Sequence, residues 1–280
     1  MKKIGFIDYY LSEWHANNYP AWITEEASKL GLEYKIAYAW AEENVSPVDN
    51  ITTEEWCEKH GAVRCETVSE LCEKSDVIVI LAPSNPEKHL GYAQEALKYG
   101  KRTYIDKTFA PDYATAKQIF ELGEKHGAAF FSSSALRYTA ALSDMSGVTK
   151  LTTFGGGSLF DEYIVHQAEM VVSVLKKAPV SVKVEKQGSQ YITSVKLEDG
   201  YEATMIFSPV LPFSLKGEAD GGKLINSSAN DAFFNGLIKD MISFFETGKV
   251  SFDVNETLEV MKLREAAIRG TKELGKWLSV

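Results

Sequence analysis

Residues 76–108 read DVIVILAPSNPEKHLGYAQEALKYGKRTYIDKT. Asp76–Ala82 is a continuous apolar run, the composition of a strand buried on both faces. After the loop Pro83-Ser84-Asn85, residues Pro86–Tyr99 have helical spacing and stop at Gly100, where a left-handed cap costs glycine least. Arg102–Asp106 then reads as a second strand, which delivers Asp106-Lys107 at its end. Strand, crossover helix and strand make the repeating unit of a parallel sheet.

The same alternation extends to either side. Lys3–Asp8 and Tyr34–Trp40 read as strands, as does Ala128–Ser132. Thr53–His60, Ser69–Lys74 and Tyr113–His126 read as helices, the last stopping at Gly127. The character changes after Arg137. Thr149–Phe154, Val182–Gln187, Tyr191–Leu197, Glu202–Ser208 and Phe213–Ala219 look like antiparallel strands, with a hairpin turn at Leu197–Tyr201. A helix over Glu162–Lys176 interrupts them, and helices over Asp231–Thr247 and Asn255–Leu278 close the chain. The predicted fold is α/β: a doubly wound parallel sheet over residues 1–135, then an α+β domain with a mostly antiparallel sheet over 136–280.

Composition narrows the partners. The chain has 280 residues, 45% hydrophobic and 25% charged, as ordinary globular proteins do. A net charge of -9 argues against nucleic acid and anionic membranes, whose phosphates need a basic surface. No apolar run approaches a membrane span, and the N-terminus passes straight into a strand, so a cytoplasmic location is expected. Cys57, Cys65 and Cys72 match no zinc or redox spacing and read as reduced thiols.

In an open α/β sheet the ligand crevice lies outside the carboxyl ends of the strands. Pro83, Ser84, Asn85, Asp106 and Lys107 all fall there. A lysine beside an acid at that edge can hold a cofactor ribose or polarise a substrate oxygen, although a solvated lysine after a strand is the plain alternative.

Segment 76–108 resembles the glucose–fructose oxidoreductase/inositol dehydrogenase (MocA-type) family of Rossmann-fold oxidoreductases. The likeness rests on Pro83, His89, Ala96-Leu97, Gly100-Lys101 and Asp106-Lys107, in the order and spacing of that family's strand, P-x-x-x-H, A-L-x-x-G-K and E-K-P. It continues at Arg137-Tyr138, at Phe234–Gly248 and at Leu263–Ala267. The resemblance implies an NAD- or NADP-dependent oxidoreductase acting on a sugar, polyol or related hydroxy compound. It implies Lys107 as a catalytic residue, Arg137 and Tyr138 toward the substrate, and a homo-oligomer paired through the second-domain sheet. By the same likeness Asp8, Tyr9, Tyr10, Leu11, Pro83, Ser84, Asn85, His89 and Asp106 would line the cofactor, with His89 positioning its loop.

The family's G-G-G-x-x-x-D-x-G-x-H element is similar to Gly155-Gly156-Gly157 followed by Asp161, Glu162 and His166, with one extra residue and Ile164 in place of a glycine. Glu162 and His166 are four apart and share a helix face, whereas Asp161 is better placed to cap the helix. His166 is therefore expected to be the acid/base, oriented by Glu162 and sharing one cleft with Lys107; a half-buried structural histidine is the alternative. His15, His60 and His126 read as surface residues.

One stretch departs from the pattern. Residues 5–15, GFIDYYLSEWH, place Asp8, Tyr10 and Glu13 where a dinucleotide loop has its three glycines. Two carboxylates would repel a pyrophosphate, and no lysine or arginine lies nearby in the sequence to offset them. Trp40, not an acid, closes the second strand. NAD or NADP is expected to bind weakly, its pyrophosphate displaced from this loop. A non-catalytic ligand-binding or regulatory relative, or one doing redox-neutral chemistry, is the other reading.

Overall fold

In a computed structural model of the chain, which describes every residue except Asp220, residues divide into two units. The first comprises Met1–Ser133 and Ile238–Val254, the second Ser134–Leu237 and Asn255–Val280. The chain thus crosses between units three times. A single boundary at 135/136 leaves Ile238–Val254 out of the first unit.

In chain order the first unit has β1 (Lys2–Asp8), α1 (Trp14–Lys29), β2 (Tyr34–Ala41), α2 (Thr53–His60), β3 (Val63–Arg64), α3 (Val68–Lys74) and β4 (Val77–Ile80). It continues with α4 (His89–Ala96), β5 (Thr103–Ile105), α5 (Tyr113–His126) and β6 (Phe130–Phe131). The six strands lie in the order β3-β2-β1-β4-β5-β6, all parallel. The order reverses between β1 and β4, the switch point at which this architecture opens its crevice. The apolar run is the central strand: all four residues of β4 are buried. Gly100 and Gly127 end their helices at φ 62° and 61°, as the sequence requires. Helix α1, unmarked in the sequence reading, buries Ala16, Tyr19, Ile23 and Ala27 along one side, but interleaved with His15 and Glu26 and with Pro20 inside it.

The second unit contains α6 (Ala140–Ser143), β7 (Val148–Gly155), α7 (Phe160–Leu175), β8 (Pro179–Gln187), β9 (Gln190–Leu197), β10 (Glu202–Phe207), β11 (Ser214–Ala219) and β12 (Lys223–Ser228). Helix α8 (Phe233–Thr247) starts in it, and α9 (Glu256–Lys272) and β13 (Trp277–Ser279) end the chain. Its seven-stranded sheet has the order β12-β11-β7-β10-β9-β8-β13, antiparallel except where β7 meets β10. The fold class predicted from sequence is the one observed. The last helix is shorter than expected, because Gly275, at φ 76°, turns the chain back to pair Trp277 with Lys183 of β8.

Alternation along β7 and β10 decides which sheet face is covered. Leu151, Ala203, Met205 and Phe207 pack into a core with Ile164, Ala168 and Val171 of α7 and Leu263 and Ala267 of α9. Lys150, Thr152, Glu202 and Thr204 alternate with them onto the other face.

Candidate functional site

In the first unit, the carboxyl ends of β1, β4 and β5 bring together most of the residues singled out from sequence. Asp8 ends β1 and is 1% exposed. Its Oδ1 accepts the amides of Tyr9 at 2.7 Å and Ala82 at 2.9 Å, so it ties the end of β1 to that of β4, while the buried Oδ2 has no hydrogen-bond partner. Ala82 holds a left-handed φ of 64° there. Burial, and then the neighbouring Glu13 charge, raise the affinity of Asp8 for its proton well above the carboxylate norm.

Glu13 does what its position in a degenerate glycine loop does not suggest: it caps α1. Its carboxylate accepts the amide of His15 at 2.8 Å and that of Ala16, and lies 3.2 Å from Nδ1 of His15. His15 is therefore buried at 8% exposure, not a surface residue. Asp106, also 1% exposed, accepts the hydroxyl protons of Tyr104 at 2.8 Å and Tyr19 at 3.4 Å, and its Oδ2 lies 3.7 Å from Nδ1 of His15. Three carboxylates thus gather at this edge.

The other first-unit residues fall around them. Nζ of Lys107, one residue beyond Asp106, points at the carbonyl oxygen of Pro83 at 3.5 Å. Pro83 is buried, Ser84 exposed and Asn85 intermediate, in a turn closed by the Asn85 amide on the Ala82 carbonyl. The ring of His89 is fully buried between the carbonyl oxygens of Leu81 and Phe109, pinning the turn after β4 to the segment after β5; burial pushes its pKa down. Leu11 is 2% exposed and belongs to the core, whereas Tyr9 and Tyr10 are half-buried with ring centres 5.9 Å apart. A cation does reach this loop, contrary to the sequence expectation: Nζ of Lys88 sits 4.8 Å over the Tyr9 ring. Its charge is matched by Glu42, which also accepts from the Tyr92 hydroxyl at 2.8 Å. Because β2 runs one residue past Trp40, Glu42 directly follows the strand.

In the second unit His166 projects from α7, half-buried, with Nδ1 2.7 Å from Oγ of Ser134. Ser134 also caps the following helical turn, Ala135–Tyr138, by accepting the Leu136 amide at 3.2 Å. A ring whose Nδ1–H donates to Ser134 leaves Nε2 as the basic nitrogen. The neighbouring Gln167 is fully buried and saturated: its Oε1 takes the Thr153 hydroxyl proton at 2.8 Å, and its Nε2 donates to the carbonyls of Gly155 and Ile206 at 3.2 and 3.1 Å. It therefore fixes α7 against β7 and β10 one residue from His166. The glycine triplet serves packing as well. A Cβ on Gly156 would lie 1.9 Å from the Ser208 carbonyl, and one on Gly157 2.2 Å from the Tyr163 ring.

Asp161 and Glu162 occupy the first turn of α7, where acids favour the helix dipole. The cap position is Leu159, not Asp161, because the helix begins two residues earlier than the sequence suggested. Arg137 is engaged inside this unit: Nε donates to Glu169 and Nη1 to Glu256, each at 2.5 Å, with the Arg137 side chain 7% exposed. That engagement tells against a charge held out for a substrate anion. Tyr138 backs onto Gly236 of α8, where an added Cβ would meet its own Cβ at 2.5 Å.

Ser134 and Gln167 escaped the sequence reading, although Ser132-Ser133-Ser134 before Ala-Leu-Arg-Tyr is a recognisable capping signal. Nothing in the sequence marks Gln167.

A nicotinamide dinucleotide in this architecture rests its pyrophosphate on the amides that open the first helix. Here two of those amides already bind Glu13, with the Asp8 carboxyl close by. The residues present do not fit a pyrophosphate at that place. Among the described residues, no group of three or more His, Cys, Asp or Glu side chains could hold a metal ion.

No protein-family profile matches the chain. An uncharacterized oxidoreductase, YhhX of Escherichia coli (strain K12), is 32% identical over 60 residues, a stretch spanning 21% of this chain and 17% of that protein. Solved structures match over the whole length. Myo-inositol dehydrogenase from Lactobacillus casei, in complex with NAD(H) and myo-inositol, superposes with a TM-score of 0.81 at 10% identity, over 100% of this chain and 97% of that one. Scyllo-inositol dehydrogenase from the same organism, with bound NAD(H) and scyllo-inositol, gives 0.80 at 12% identity, over 100% and 99%. Myo-inositol 2-dehydrogenase from Lactobacillus plantarum gives 0.79 at 13% identity, over 100% and 99%. From end to end, the chain has the fold of the inositol dehydrogenases and related glucose–fructose oxidoreductase-type proteins.

Proposed function

We propose that the chain is an oxidoreductase acting on a sugar, polyol or related hydroxy compound, with NAD or NADP as its oxidant. The observation that carries this reading is His166: a half-buried imidazole held at Nδ1 by Ser134, in a chain whose whole length follows the inositol dehydrogenase fold. His166 takes the hydroxyl proton on Nε2 as the substrate is oxidised, and Glu162 and Ser134 orient it. Lys107 holds the substrate oxygen and balances its developing negative charge. Tyr138 contributes to substrate binding; Arg137 acts from behind by fixing Glu169 and Glu256.

Pro83–Asn85 would hold the oxidant's nicotinamide and ribose, away from the α1 amides, with the buried His89 fixing that turn from behind. The polar row Lys150, Thr152, Glu202 and Thr204, on the sheet face turned from α7 and α9, fits pairing with a second copy of the chain. The buried thiols Cys57, Cys65 and Cys72 fit a cytoplasmic setting. No helix among the described residues is long and apolar enough to cross a membrane.

A second reading is favoured by one observation, the Glu13 carboxylate on the α1 amides: a non-catalytic binding or regulatory relative. Purified protein assayed with inositols and sugars plus NAD or NADP separates the two. Reduced nicotinamide appearing with wild type, and lost in His166→Asn at unchanged melting temperature, supports the enzyme. Failure of both cofactors to bind at millimolar concentration rejects it.

A further inference from the structure

We infer that Glu13 is a built-in substitute for the phosphate of a dinucleotide, so that no pyrophosphate rests on the start of α1 and any dinucleotide this chain binds is held by other groups. The geometry is specific. The amides of the first helical residues Trp14, His15 and Ala16 precede the intrahelical series, which begins with the Asn17 amide on the Glu13 carbonyl. Two of those three amides point at the two oxygens of one carboxylate. Ordinary N-caps are Ser, Thr, Asp or Asn, which satisfy one amide or two from a short side chain. Glu13 has the reach to lie across the helix end, as a bound anion would.

Three further features match an anion site that has been filled internally. The Glu13 carboxylate is removed from water at 8% exposure, and the His15 ring lies against it at 3.2 Å. On the β1 side, the only carboxyl oxygen of Asp8 that is not taken by an amide is buried and without a hydrogen-bond partner, so an arriving phosphate would meet a second acid. On the β4 side, the Ala82 amide, which a ligand in this crevice could otherwise use, is already donated to Asp8. Donors that the fold normally presents to a phosphate are here satisfied by the chain itself.

This inference deepens the oxidoreductase reading by specifying how its cofactor is not held, and the two can fail separately. The experiment compares wild type with Glu13→Ala, using thermal melting with inorganic pyrophosphate and tryptophan-to-NADH energy transfer. Millimolar pyrophosphate should leave the wild-type melting temperature unchanged. Glu13→Ala should melt lower without ligand, having lost its cap, and should be raised by pyrophosphate. Its NADH affinity should be at least about tenfold tighter than wild type, as one repelling charge is removed and amides are freed. Should Glu13→Ala fail to fold, Glu13→Gln keeps a neutral acceptor and should still bind NADH more tightly than wild type. Equal stabilisation of wild type and variant by pyrophosphate, or weaker NADH binding after removal of the Glu13 charge, would overturn the inference. If neither protein binds NADH while pyrophosphate stabilises only the variant, the inference stands and the oxidoreductase reading falls.

Discussion

The carboxyl edge of the first unit and the Gln167 side chain of the second treat buried polar groups in opposite ways. Around Asp8, Glu13 and Asp106, acids crowd together, and two carboxyl oxygens are buried without a hydrogen bond. Around His166, the neighbouring Gln167 has a partner for its oxygen and two for its nitrogen. Satisfied groups hold a shape, whereas crowded like charges store a preference for protons or positive partners. The second unit therefore holds His166 in a fixed polar setting, and the first has an edge where the Glu13 carboxylate occupies the amides that open α1.

The largest expected effect is on turnover. His166→Asn should reduce kcat by a factor of about 10²–10⁴, the range general acid–base catalysis contributes, with the melting temperature nearly unchanged. Lys107→Ala should also lose orders of magnitude, and undiminished activity would make Lys107 a surface residue. If both variants turn over like wild type, the contrast between the two regions has no catalytic meaning.

Next comes stability within the second unit. Arg137→Ala leaves Glu169 buried without its cation, and breaking such a pair typically costs about 3–5 kcal/mol, measurable by denaturant unfolding. Burial already raises the pKa of Glu169 despite Arg137. A change below about 1 kcal/mol would mean that the triad is solvated. Gln167→Leu should cost less, about 1–3 kcal/mol, by removing the partner of the Thr153 hydroxyl and one bond each from the Gly155 and Ile206 carbonyls. It should also lower kcat more than it raises KM, because it loosens α7 beside His166.

The smallest effect, opposite in sign, sharpens the first-unit side. Since the folded-state pKa of Asp8 is raised, the native chain keeps a proton that the unfolded chain releases near pH 4. Its cost to stability is absent below that pH and grows as pH rises toward the raised value. Asp8→Asn keeps an oxygen for the Tyr9 and Ala82 amides and removes the titration. The variant should match wild type near pH 4 and exceed it in melting temperature by a few degrees near pH 8. A variant less stable than wild type at pH 8 would show that the carboxyl is needed in its charged form.

Much of this architecture is legible in the chain because strong local signals agree with one another. DVIVILA reads as a doubly buried strand, of which Val77–Ile80 forms β4, and Gly100 and Gly127 stop their helices where expected. Helix α1 is hidden because its buried side contains His15 and Glu26 and its seventh residue is Pro20, so no apolar stripe stands out. Strands β3 and β13 are too short, at two and three residues, to carry a period. The site is less legible for a different reason. Asp8 and Glu13 read as hostile to phosphate from their charge alone, but that Glu13 turns back onto its own helix depends on backbone geometry. Ser134 lies 32 positions from His166, and no local pattern links residues so far apart.

The return of Ile238–Val254 to the first unit has a consequence for synthesis. Phe244 and Phe245 are 2% and 1% exposed; Phe244 packs on Phe131 at 5.0 Å and Phe245 on Tyr34 at 6.2 Å. Arg102 donates to the Phe245 carbonyl at 2.7 Å, and Lys2 pairs with Glu246 at 2.8 Å. Nascent chains commonly fold from the N-terminus as each domain leaves the ribosome. Here the N-terminal sheet waits for a clasp encoded more than a hundred residues later. Until residue 254 has emerged, Phe131 and Tyr34 lack the Phe244 and Phe245 rings that pack on them.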